Sequence, residues 1–266
     1  MGQSLAGIVA VLVMLPAAVR PLSATGARRD RVFWLLLVLA VAGPVAYLGT
    51  LVADGWSGDL SATLWVSISA SAILFTVLAR ISEDAWRLSP LLVGYLVVLG
   101  GLAVAGGAAL RDTGAGYAIG GWLLVHIVIS VVAYALATVA AVAAAAVVIK
   151  QRALKRKASG NLSRLLPAVA VADRLQVRLL ATAAGVLGLD ILVGMATELA
   201  KSGALIHLEH KTLLSGLAFA VTVVLLGLHA RAGVRGRSAA RGVLVAYLLL
   251  TLGYPGVKFV TDVLLS

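Results

Sequence analysis

The stretch at 119–149, IGGWLLVHIVISVVAYALATVAAVAAAAVVI, carries no charged residue and is followed directly by the basic run KQRALKRK at 150–157. About 20 mostly apolar residues are enough to cross a bilayer once. Lys and Arg accumulate on the inner side of a membrane. The stretch therefore predicts a transmembrane helix that runs inward and extends past the inner surface, where we expect Gly160 and Asn161 to break it.

The remaining basic residues follow the same rule. Of the 22 Lys and Arg residues, 18 fall in four patches, at 20–31, 80–87, 150–178 and 231–241. These patches contain only four acidic residues, which gives them a net charge of +14 against −3 for the rest of the chain. If the patches face inward, both termini lie outside.

Eight apolar segments are long enough to span a membrane. They lie at 3–20, 32–53, 62–80, 89–110, 119–149, 178–200, 210–230 and 242–264. We therefore predict an all-α polytopic membrane protein, a single domain at 1–266 built as a bundle of eight transmembrane helices. The first segment is expected to be a retained helix, and 165–175 to form a short helix on the inner surface.

Composition excludes several other classes of protein. The chain is 61% hydrophobic with a mean hydropathy of +1.05, more apolar than a soluble domain of this length. Its pI near 10.6 fits cations beside anionic lipid better than a nucleic-acid-binding protein. The absence of Cys excludes disulfides, thiolate metal sites and covalent haem attachment through Cys.

Ionisable side chains within spanning helices are costly, so each is a functional candidate. They are His126, Asp190, His210, Lys211, His229, Lys258 and Asp262. A buried pair of Asp190 with Lys258 is one expectation for the two residues, and a proton relay is the alternative. Trp122 fits an interfacial aromatic belt and would also suit a platform for a flat macrocycle.

Depth separates the histidines. His126 and His210 both fall in the outer half, and they would approach one another if their helices pack side by side. Two histidines on neighbouring helices can ligate haem iron from both faces, hold another metal, or only form hydrogen bonds. His229 lies 19 residues beyond His210, about 28 Å along a helix, and is expected near the inner face. His207 is expected to be an exposed loop residue.

The segment Leu124-Val-His126-Ile-Val-Ile-Ser-Val-Val-Ala-Tyr134-Ala resembles the His-then-Ser/Ala-Tyr-Ala helix of the cytochrome c assembly family of membrane proteins. That family includes CcsA-type haem-delivery proteins, HemX proteins and YpjD inner-membrane proteins. The sequences HKTLLS at 210–215, GLHAR at 227–231, GVRGR at 233–237 and LGYPGVKF at 252–259 are similar to the YpjD branch.

The resemblance implies a bacterial inner-membrane protein that binds or passes non-covalent, b-type haem near the outer face. The resemblance matches His126 to the family's outer-side histidine and His229 to its inner-side histidine, which implies that both contribute to haem binding. Because His126 and His210 share a depth, we expect them to be the iron ligands, and we expect Trp122 to contribute to haem binding as well. No enzymatic activity is expected, because the loop at 201–209 lacks the tryptophan-rich motif of the haem lyases. The alternative is a non-enzymatic subunit with a degenerate haem site that stabilises or regulates a partner membrane protein.

Overall fold

The computed structural model describes residues 2–23, 28–53, 59–109, 121–157, 160–202, 210–256 and 259. At both His210 and Lys211 the backbone alone is described. The described chain is helical apart from short links, and it contains eight helices that are long and apolar enough to cross a membrane. The predicted all-α polytopic architecture is confirmed.

Nine α-helices follow one another in the described chain. They are α1 (Gly2–Val19), α2 (Arg31–Ala53), α3 (Leu60–Ile81), α4 (Ser89–Ala109), α5 (Gly121–Lys155), α6 (Asn161–Leu165), α7 (Val169–Ser202), α8 (His210–Ala232) and α9 (Arg237–Thr251). Helix α6 is too short to span a bilayer, and α9 reaches spanning length only together with the π-helical segment Leu252–Gly256 that continues it.

The eight long helices form two rings of four. Helices α1, α2, α3 and α4 each pack against their neighbours in chain order, and α4 closes the ring on α1. Helices α5, α7, α8 and α9 form a second ring in the same way, with α9 closing on α5. The rings meet where α3 packs on α5, so α5 is shared by both groups.

The interiors of the two rings differ in side-chain size. Trp65, Phe75, Met14 and Ile68 are fully buried in the N-terminal ring and fill it with large side chains. In the C-terminal ring, α5 contributes an unbroken buried stretch at 133–144 that is mostly Ala. A helix buried on all sides with small side chains lets its neighbours approach closely. The helices of the C-terminal ring therefore pack with their backbones close together, whereas large side chains fill the N-terminal ring.

The inner link between α5 and α7 is shorter than predicted. Helix α5 extends past the apolar segment, as expected, but α6 ends at Leu165 and α7 already begins at Val169. The break falls at Pro167, which cannot donate a helical hydrogen bond and disfavours helix at the preceding residue. Lys150 Nζ closes the link by donating to the carbonyl oxygens of Ser163 and Leu166.

The predicted surface helix at 165–175 is wrong. Its second half belongs to α7, because no helix-breaking residue follows Val169. Asp173 is buried there, and its Oδ1 accepts hydrogen bonds from Gln176 Nε2 at 2.7 Å and from the backbone N–H of Gly236 at 2.9 Å. This carboxylate connects the inner end of α7 to the turn before α9. Helix α9 begins at Arg237, five residues earlier than predicted.

A second carboxylate organises the inner turn before α2. Asp30 accepts two hydrogen bonds from the Arg20 guanidinium, at 2.7 and 3.0 Å, and a third from the backbone N–H of Phe33 at 2.8 Å. These donors favour the charged carboxylate, so they lower the pKa of Asp30 to about 2. The cap orients the start of α2 against the end of α1.

Candidate functional site

The candidate site lies where the outer end of α5 packs on α7. His126 Nδ1 lies 3.0 Å from Asp190 Oδ1, and the same oxygen accepts a hydrogen bond from Ser130 Oγ at 2.6 Å. The side chains of His126 and Asp190 are 22% and 13% exposed. Nδ1 itself is buried and makes no well-aligned hydrogen bond, so its contact with the carboxylate is mainly electrostatic. An imidazole is thus held against a carboxylate within the apolar part of the membrane.

Glycine on α7 makes room for the imidazole. A Cβ built on Gly194 would lie 3.1 Å from His126 Cε1 and 3.7 Å from both ring nitrogens. Only glycine allows the ring to lie this close to the α7 backbone without displacement. Asp190 and Gly194 are one helical turn apart, so they face His126 together. One face of α7 therefore locates the ring, by shape at Gly194 and by charge at Asp190.

A stripe of polar side chains continues inward from His126 along α5. His126, Ser130, Tyr134 and Thr138 are spaced by four residues, which places them on one face of the helix. The Thr138 hydroxyl donates to Tyr247 OH on α9 at 3.2 Å.

Tyr247 joins this stripe to the N-terminal ring. Its hydroxyl lies 3.2 Å from that of Tyr134 and 2.7 Å from that of Tyr95 on α4. The Tyr134 ring also packs against Tyr254, with centroids 5.9 Å apart. A network of hydroxyl groups thus seals the bundle on the inner side of the His126–Asp190 pair.

Helix register places the start of α8 at the depth of His126. Gly188 of α7 lies against Phe219 of α8, because a Cβ on the glycine would be 3.2 Å from a ring carbon. In antiparallel helices this register brings the backbone of His210 level with residue 197 of α7. That level is three residues, or about 4.5 Å, from Gly194 and the His126 ring.

In the described part of the chain, the helices of His126 and His210 do not pack side by side, which was the condition for a close approach of the two histidines. Over the described residues, α5 packs along α7 and α9, and α8 packs along the same two helices without an extended contact with α5. Helices α5 and α8 therefore occupy opposite corners of the C-terminal ring. With packed helices 8–10 Å apart, the diagonal of a square ring is about 11–14 Å. The backbone of His210 therefore lies across the ring from α5, at a depth similar to that of His126.

His229 lies at the other end of the same helix. Helix α8 is continuous from His210 to Ala232, so the 19 intervening residues separate the two histidines by about 28 Å. His229 Nδ1 lies 2.8 Å from the carbonyl oxygen of Val234, in the turn that leads to α9. It cannot share a metal ion with His126.

Trp122, one turn outward from His126, is 55% exposed.

Several sequence expectations concern residues outside the described part. These residues are His207, Lys258 and Asp262, together with the side chains of His210 and Lys211. The expected pairing of Asp190 with Lys258 is therefore untested, while the contacts of Asp190 with His126 and Ser130 give the carboxylate two other partners.

The family model described as cytochrome C assembly protein matches residues 31–265. The chain belongs to this family. It is also 47% identical over 263 residues to a protein from Azospirillum brasilense, described as an uncharacterized 28.8 kDa protein in nifR3-like 5'region, and the alignment covers 97% of each chain. No solved structure matches. Membership of the family and eight apolar helices make this a multi-pass membrane protein in contact with the lipid bilayer.

The family implies haem, and the chemistry of His126 fits an axial ligand. Imidazole is a common haem ligand, and the nitrogen that does not bind iron normally contacts a carboxylate, carbonyl or water. Here Nδ1 faces Asp190, and Nε2 has no hydrogen-bond partner among the described residues. No cluster of three His, Asp or Glu residues that would suit a free metal ion occurs in the described ranges.

Sequence reasoning identified His126 and Asp190 separately but missed their contact. It also missed Ser130, Gly194 and the role of Tyr247. The spacing of four residues between His126 and Ser130, and between Asp190 and Gly194, would have placed each pair on one helix face. The packing of α5 against α7 then brings the two faces together, and that packing has no local sequence pattern.

Proposed function

We propose that this protein binds haem non-covalently near the outer face of the bacterial inner membrane and holds or passes it during cytochrome c assembly. His126 is the first axial ligand and His210 the preferred second ligand. The observation that carries the proposal is the buried contact of His126 Nδ1 with Asp190, which orients an imidazole and leaves Nε2 for iron.

Three further features support this location. The C-terminal ring is lined largely by Ala, whereas Trp65 and Phe75 fill the N-terminal ring. The outer end of α8 is level with His126 across the ring, as the register of α7 and α8 indicates. Trp122 lies one turn outward from His126 and supplies an exposed indole at the outer end of α5. An apolar pocket with a few placed polar groups is the usual environment of a cofactor.

Haem, when bound, supplies an iron centre whose electronic state depends on its axial ligands. The chain's own residues hold the ring nitrogen in place, exclude water through the tyrosine network, and confine the cofactor to the outer half. No chemical conversion by the protein is part of this proposal. His229 belongs to a separate, inner position, where the family resemblance suggests a second contact with haem as it moves.

A second candidate function is supported by the packing below His126. The cavity between α5, α7, α8 and α9 has a volume of about 10 Å³, which is room for one water molecule and not for a macrocycle. If the ring is equally closed at its outer end, the haem site is degenerate. The protein would then act as a non-enzymatic subunit that stabilises or regulates another membrane protein.

The absorption spectrum of the purified protein, reduced minus oxidised, distinguishes the two. Haem with two imidazole ligands gives a low-spin spectrum, and His126→Ala should lose haem or convert it to high-spin. His207→Ala is the matched control and should leave the spectrum unchanged. Free imidazole should restore the low-spin spectrum of His126→Gly. A folded protein that stays colourless after haem is supplied would favour the second candidate.

A further inference from the structure

Asp190 stands out among the intramembrane residues because the chain keeps a carboxylate at a costly depth. Its side chain is 13% exposed, and in the described part its contacts include one imidazole and one hydroxyl but no cation. Removing a carboxylate from water without compensation is strongly unfavourable. A residue that served packing alone would be replaced without loss by an apolar side chain of similar volume.

Asp190 contacts Nδ1 of His126, which is the ring nitrogen that stays free when Nε2 binds iron. Its Oδ1 lies 3.0 Å from His126 Nδ1, and Ser130 Oγ donates to the same oxygen at 2.6 Å. Ser130 is one turn inward from His126 on α5 and therefore fixes the carboxylate relative to the imidazole. Gly194 leaves room for the ring against the α7 backbone, because it has no Cβ beside Cε1.

We propose that Asp190 is the positioning residue for haem in this protein: its negative charge selects Nε2 of His126 as the iron-binding nitrogen and stabilises the ferric state of the bound haem. The proposal rests on the haem-binding function proposed above. Ser130 orients Asp190, and the three residues form a series from hydroxyl to carboxylate to imidazole.

The physical basis is electrostatic. A carboxylate beside Nδ1 attracts the hydrogen on that nitrogen, so electron density increases at Nε2 and the imidazole becomes a stronger ligand. Ferric haem carries one more positive charge than ferrous haem, and the apolar surroundings of the site weaken screening between charges. The carboxylate therefore strengthens binding of ferric haem more than binding of ferrous haem, and it lowers the reduction potential.

The first experiment replaces Asp190 by Asn, which keeps the shape and removes the charge. The affinity for ferric haem should fall about 10- to 100-fold, the usual effect of removing a residue that orients a metal ligand. The midpoint potential of the haem that remains bound should become more positive. Glu83→Gln removes an exposed carboxylate from the link between α3 and α4, far from His126, and is the control that should leave both quantities unchanged.

The second experiment remains informative if Asp190→Asn folds poorly. In His126→Gly, added imidazole replaces the missing ligand and offers an N–H to Asp190, whereas 1-methylimidazole offers a methyl group. Imidazole should bind about tenfold or more tightly to the ferric haem protein and give the lower midpoint potential. The preference should shrink in the double variant His126→Gly with Asp190→Asn, which controls for the size of the methyl group.

The outcomes separate the two proposals. If the unmodified protein binds no haem, the proposed function and the role of Asp190 are both overturned. If haem binds through His126 but Asp190→Asn keeps an unchanged potential and imidazole shows no preference over 1-methylimidazole, only the role of Asp190 is overturned. A shift in the midpoint potential of Asp190→Asn, with both histidine ligands intact, supports the role of Asp190, because a purely structural role would not change the midpoint potential.

Discussion

Replacing Gly194 by Ala tests whether the imidazole of His126 is held against α7. The added Cβ would lie 3.1 Å from His126 Cε1, about half an ångström closer than an ordinary carbon–carbon contact. The ring can give way only by moving away from α7, which lengthens its 3.0 Å contact with Asp190. We therefore expect an unfavourable steric term of about 1–3 kcal/mol, the usual cost of an extra methyl group in a packed site.

The same substitution also has a favourable term. Ala is preferred over Gly within a helix by about 0.5–1 kcal/mol. Gly185 lies on the same helix, nine residues further inward, and a Cβ there would meet nothing within 4 Å. Gly185→Ala therefore carries the favourable term alone. The difference between the two variants isolates the contact with His126, and we expect Gly194→Ala to be less stable than Gly185→Ala by about 1–3 kcal/mol.

Unfolding of each variant in detergent, with and without haem, measures this difference. Gly194→Ala should also reduce the low-spin fraction of bound haem, because a shift of a few tenths of an ångström exceeds the tolerance of a metal–ligand bond. Gly185→Ala should leave the spectrum as it is. Equal stability and equal spectra for the two variants would refute the placement of His126 on Gly194, and with it the geometry of the site.

Four further outcomes are expected. Tyr247→Phe should lower the free energy of unfolding by about 1–3 kcal/mol, because it removes the hydroxyl that connects those of Tyr95, Tyr134 and Thr138. An unchanged denaturation curve would contradict this. Gly236→Ala should destabilise the protein relative to Gly160→Ala, since Gly236 has φ 64° and ψ −130°, which only glycine adopts readily, whereas Gly160 has φ −73° and ψ 164°; equal melting points would contradict this. The contribution of the Asp30 ion pair should be fully present above pH 3.8 and be lost as the pH falls through about 2, and Arg20→Gln should reduce this dependence of stability on pH, leaving the part due to the Phe33 N–H. A reporter at the C-terminus that is active only outside the cytoplasm should be active, and activity of a cytoplasmic reporter at that position would reverse the orientation.

The number and approximate positions of the spanning helices were predictable from the sequence. The run of apolar residues at 119–149 and the basic residues after it define a spanning helix without reference to any other part of the chain. The same holds for the other seven spans, because each must satisfy its own backbone hydrogen bonds within the bilayer. The errors lie at the inner ends, where Pro167 ended a helix earlier than predicted and α7 began at Val169.

The choice of helix neighbours was decided only in the tertiary structure. Apolar helices in lipid are distinguished by small differences in shape, and Gly and Ala permit many alternative contacts. The sequence therefore left open whether the helices of His126 and His210 are adjacent, and in the structure α7 and α9 lie between them.

For the same reason, the sequence indicated that His126 and Asp190 were both unusual but not that they touch. Each residue's cost inside a membrane can be recognised from its type and depth alone. Its partner depends on the register between α5 and α7, which the close approach of His126 to Gly194 sets. The type and depth of a residue can be read from one helix, whereas the site requires a contact between two helices, α5 and α7.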